Sequence, residues 1–171
     1  MFDKESSYLF EFRGKSPSLE GYPNKRHTYA FLNREGHTYI VWADEFEECY
    51  LYGIKFFRSD YSECKDQFNV VLNTYDYKNV IATVLEIIVS IFQNQPLASF
   101  IFQGANCEGE DEAETQRFRI WSFIAKNTLS PVQFEFKPYY EKSVLLIRNR
   151  SCTEPILQII DNILEQHGVV F

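Results

Sequence analysis

The sequence predicts an α+β fold: a single domain over 1–171 whose largely antiparallel sheet opens as an N-terminal strand meander and is packed by about three helices. Three observations carry this reading. Strand patterns come first and are followed by helix, strand, helix, two strands and helix, an order that suits segregated rather than repeated units. Aromatic residues make up 17% of the chain, with sixteen Phe and eleven Tyr, and such side chains favour pleated, half-buried surfaces. The stretch 76–92 then carries Val80, Val84, Ile87, Ile88 and Ile91 at helical spacing. With 171 residues, the chain is long enough for one sizeable core and short for two.

The opening strand covers 8–13, with Tyr8, Phe10 and Phe12 along one face. Residues 14–24 hold Gly, Pro and Ser with few apolar side chains and read as a loop. A hairpin follows, with strands 27–33 and 37–43 around Arg34, Glu35 and Gly36. Gly36 suits the left-handed position of a short turn. A turn centred near Glu35 sets Phe31 opposite Tyr39 and Tyr29 opposite Val41, all four on one face. The acidic tract 44–48 leads to a strand over 49–57, in which Gly53 reads as a bulge. A polar turn over 59–65 and a further strand over 67–72 precede the first helix.

Asp76 is the expected N-cap of that helix, its carboxylate accepting from the unpaired amides of the first turn. Ile81, Leu85 and Phe92 widen the apolar stripe, while Lys78, Thr83, Glu86 and Ser90 fall on the other side. Pro96 ends the helix because it has no amide donor. Residues 97–102 form a short buried strand between Pro96 and Gly104. A second helix over 116–126 buries Phe118, Trp121, Ile124 and Ala125, with acids before its start and Lys126 at its end to match the helix dipole. Two strands, 132–137 and 143–148, come next. Thr153 caps a last helix with Pro155 in its first turn. Its core stripe is Ile156, Ile159, Ile160, Ile163 and Leu164, and Gly168 ends it. The apolar tail Val169, Val170 and Phe171 is expected to dock on the body or on another copy.

Charge and cysteine content narrow the function classes. A net charge of -7 and a pI near 5.0 oppose phosphate-backbone binding, which Lys and Arg drive by counterion release. Nucleic acid is therefore not an expected partner. No stretch approaches the roughly 18 uninterrupted apolar residues of a membrane span, so no membrane partner is expected. The beginning MFDKESSYLF has acids and no apolar core, so no secretory signal is expected either. Cys49, Cys64, Cys107 and Cys152 share no ligand spacing, which reads as free, mostly buried thiols in a reducing cytoplasm, with one disulfide left open. No cofactor is expected.

Four groups of residues could carry chemistry. His27 and His37 each begin a His-Thr-Tyr triplet, but the hairpin holds them roughly 20 Å apart at strand rise, too far for one metal. His167 sits near a helix end, where a cation is favourable. Glu135 and Lys137, two apart on a strand, resemble the E-x-K half of metal-dependent nuclease sites, with Asp111 as the nearest upstream acid. The acids Glu108, Glu110, Asp111, Glu112 and Glu114 lack the alternation of a Ca²⁺ loop and read as a helix start paired to Arg117 and Arg119. Arg117 could stack on Trp121. Tyr29, Tyr39 and Trp42 could line an aromatic ligand pocket. No Walker, dinucleotide, nucleophile-elbow or zincin motif is present.

Thr83 and Val84 on the first helix, Cys107, the run Arg117-Phe-Arg-Ile-Trp121 and the segment 144–149 carry a resemblance. Over 29–150 the layout resembles small bacterial proteins of a domain-of-unknown-function family, found largely among Bacteroidetes. Its hallmarks are aromatic strand entries, a Thr-Val/Ile helix and an R-x-R-x-F/W helix. Here the aromatic after the arginines is Trp121, and the acidic insert before them is unusual for that family. The resemblance implies a bacterial, cytoplasmic, single-domain protein and no catalytic residue. The expected function is a non-enzymatic interaction module (accessory, inhibitor or immunity type) with a protein partner or a homodimer. Tyr29, Tyr39, Trp42, Arg117, Trp121 and Phe171 are its candidate contacts; the alternatives are the nuclease and the small-ligand binder.

Overall fold

In the computed structural model, which describes residues 7–17, 25–62, 76–105 and 110–166, the aromatic segments near the N-terminus zip into an antiparallel meander. Its strands are β1 (Phe10–Pro17), β2 (Lys25–Leu32), β3 (Thr38–Phe46) and β4 (Leu51–Arg58). Helix α1 (Tyr77–Asn94) then crosses to β5 (Ser99–Gln103), which lies parallel to β4. Helix α2 (Gln116–Thr128), strands β6 (Phe134–Tyr139) and β7 (Val144–Asn149), and helix α3 (Glu154–Gln166) complete the described chain. The sheet order is β1-β2-β3-β4-β5-β7-β6. Every neighbouring pair except β4 with β5 is antiparallel. The described residues thus form one α+β domain, as the order of patterns predicts.

The predicted hairpin register is the observed one: Phe31 opposes Tyr39 and Tyr29 opposes Val41. Because side chains alternate across a sheet, this places all four in the larger core, with Phe100, Phe102, Leu145 and Ile147 from the other strands. Helices α1 and α2 close over that face. The α1 stripe of Val80, Ile81, Val84, Leu85, Ile87, Ile88 and Ile91 is buried, as are Phe118, Trp121, Ile124 and Ala125 of α2. Trp121 is fully buried and stacks on Phe102 at 4.3 Å. The opposite face is covered by α3, whose Ile160, Ile163 and Leu164 meet Phe46, Leu51, Ile101, Val144 and Leu146.

Several expectations need correction. β1 continues past residue 13 to Pro17, through a register shift between Phe12 and Gly14. Gly14 makes this feasible with φ +125, a backbone state open mainly to glycine. Gly53, by contrast, marks no bulge. It pairs regularly with Asp44 on one side and Ile101 on the other, and a strand bonded along both edges has little room for an extra residue. The first acids of the 44–48 tract are strand, not connector, because Arg26 and Lys55 neutralise Asp44 while His27 and Tyr52 hold Glu45. The predicted strand over 67–72, Cys64, Cys107, His167, Gly168 and the tail to Phe171 lie outside the described residues.

Asp76 precedes α1 as predicted, yet its carboxylate caps no backbone amide. It is 5% exposed and accepts from the Tyr8 hydroxyl at 2.5 Å, the Asn33 amide at 3.1 Å and the Asn79 amide at 2.8 Å. Asn33 in turn accepts from the amides of Glu35 and His37 in the hairpin turn. Thr83, expected on the outer side of the helix, is fully buried: its hydroxyl accepts from the Tyr8 amide at 2.8 Å and donates to the Asn79 carbonyl. One carboxylate thus ties the chain before β1, the β2–β3 turn and the start of α1. Removing it would leave three donors without their acceptor in a buried place. Asp76→Ala is expected to lose about 3 kcal/mol in urea denaturation; a loss under about 0.5 kcal/mol would show the node to be dispensable.

Candidate functional site

Strand β1 is one of the two terminal strands of the described sheet, with β2 on one side; β6 ends it at the other. Period two sends Tyr8, Phe10 and Phe12 towards the core, where Tyr8 stacks on Phe31 at 6.0 Å and Phe12 leans on Tyr29 at 5.2 Å. Leu9, Glu11 and Arg13 fall on the opposite side. With Ala30, Leu32 and Thr38 of the hairpin they line a groove of about 390 Å³. Its apolar walls are open to water, with Leu9 97% and Leu32 59% exposed; Phe12, on the core side of the same strand, is 52% exposed. Between the apolar groups, Arg13 donates to Glu11 at 2.8 Å.

Two polar clusters flank the meander. Towards the α1 side, His27 Nε2 lies 2.6 Å from Glu45 Oε2, and Tyr52 donates its hydroxyl to Glu45 Oε1 at 3.0 Å. Burial, reinforced by Glu45, pushes the Tyr29 hydroxyl up to about 12 and raises that of Tyr52 further still. On the other face, Arg26 forks onto Asp44 at 2.7 and 3.0 Å while its guanidinium lies 3.8 Å from the centre of the Trp42 ring. Lys55 adds a second cation 3.6 Å from Asp44. Each buried acid is matched by fixed donors, so both clusters satisfy the interior that the meander creates.

The residues singled out from sequence scatter over this frame. Tyr29 and Tyr39 are in the core on one face, and Trp42 stands on the other beneath Arg26. The three therefore form no common aromatic pocket. Tyr39 is wholly buried, and burial holds its hydroxyl up at about 12. Trp121 is inside the core rather than at a surface, Arg117 is half-buried on α2, and Phe171 lies outside the described residues.

Glu135 and Lys137 do share one side of β6, but Arg148 engages Glu135 at 2.8 and 2.5 Å. The Arg148 side chain holds that carboxyl below the usual carboxylate range by hydrogen bond and charge. Asp111 precedes Glu112, whose carbonyl accepts from Ser143 at the turn of the β6–β7 hairpin. From Ser143 to Arg148 the strand rises roughly 16 Å, so the acidic segment and Glu135 sit at opposite ends of the hairpin. Among the described residues no three His, Cys, Asp or Glu side chains gather at metal-binding distance. His27 and His37 lie at opposite ends of the β2–β3 ladder, as the hairpin geometry requires.

Leu9, Glu11, Phe12, Arg13 and Leu32 were not among the sequence candidates. The signal for three of them was present, since the alternation that puts Tyr8, Phe10 and Phe12 on one side puts Leu9, Glu11 and Arg13 on the other. What the sequence lacks is any sign that β1 ends the sheet. Among the described residues no helix is long and apolar enough to cross a membrane. Comparison with protein families, with characterised proteins and with solved structures finds no match for this chain.

Two outcomes check this description. Glu135 has a depressed folded pKa, so its pairing contributes stability above its ordinary value of 4.5 and loses it as acid carries the pH through the folded value. Arg148→Ala should return the Glu135 titration towards 4.5 in an NMR pH series; an unchanged midpoint would remove Arg148 as the cause. Cys49 is buried and its thiol is pushed up to about 11 by that burial. It should resist iodoacetamide at neutral pH in the native protein and react once urea unfolds it, read by mass spectrometry.

Proposed function

We propose that this chain is a non-enzymatic protein–protein interaction module, of accessory, inhibitor or immunity type, working in the bacterial cytoplasm that its family resemblance implies. The observation that supports the reading most strongly is the exposed apolar surface at β1: Leu9 and Leu32 line the groove on one side of the sheet, and Phe12 is exposed at the strand's edge on the other. Covering a leucine or phenylalanine side chain is worth on the order of 2 kcal/mol, so a partner seated there gains several such increments. A strand edge adds backbone donors and acceptors that a partner strand can pair. The polar clusters favour the same reading: Asp44, Glu45 and Glu135 are each engaged by neighbouring side chains.

The test compares tagged wild-type protein with the variant Phe12→Asp, Leu32→Asp in affinity capture from the host, quantified by mass spectrometry. The expected result is a stoichiometric partner on the wild type, lost on a variant that keeps its circular dichroism. Equal recovery of the same partner by both proteins would move the interaction away from this surface. A wild type that captures nothing and does not self-associate would defeat the reading.

A further inference from the structure

We draw no further inference here: the strongest candidate, the apolar groove that Leu9, Ala30, Leu32 and Thr38 line where β1, β2 and β3 meet on the face of the sheet away from α1, belongs to the surface already described, and nothing in the structure shows what covers it.

Discussion

A slip of one residue between β2 and β3 would turn the core pair of one strand, Tyr29 and Phe31 or Tyr39 and Val41, to the other face and bring Arg26 and Thr28, or Trp42 and Asp44, into the core. That register is the constraint on which the rest of the molecule depends. The four core side chains form the floor on which α1 lies, and their order along the strands decides which side of the sheet the helix can cover. The same register aligns Arg26 with Asp44, and the β3–β4 register sets Glu45 opposite Tyr52, so the two ladders together satisfy the charged ends of the strands.

The register is fixed locally by the hairpin turn, and the turn is fixed from outside by Asp76. Asn33 accepts two turn amides and donates to the Asp76 carboxylate, which also holds Tyr8 and Asn79. A residue that would ordinarily cap a helix serves instead as the junction between helix, turn and first strand. The cost of leaving such donors unpaired in the interior is larger than the gain from any single one of the bonds, so the junction restricts the arrangement more than it stabilises it.

Covering both faces of the sheet consumes most of the aromatic load. Tyr39, Phe100, Phe118 and Trp121 are buried almost completely, and the large apolar side chains left exposed are Leu9, Phe12 and Leu32 around β1 and Phe123, Val132 and Tyr140 around α2 and β6. Function in this fold is therefore argued from an edge and not from a cavity between elements. The acid at the centre of the hydrolytic reading, Glu135, is engaged by Arg148.

Much of the fold was legible without coordinates because it depends on period. The hairpin register, the α2 stripe through Trp121 and the α3 stripe through Ile160 all follow from spacing along one segment. The misjudged positions are those whose environment comes from distant residues. Thr83 is buried by Tyr8, 75 positions away, and Asp76 gives up its capping role to side chains 68 and 43 positions away. The candidate surface was half legible: alternation placed Glu11 beside Arg13, while the exposure of both followed from β1 being last in the sheet order. By itself the sequence determined which residues share a face, because side-chain direction is a local property of strand and helix. Tertiary structure alone decided which faces meet and which strands end the described sheet, because those depend on how segments far apart in the chain pack against one another.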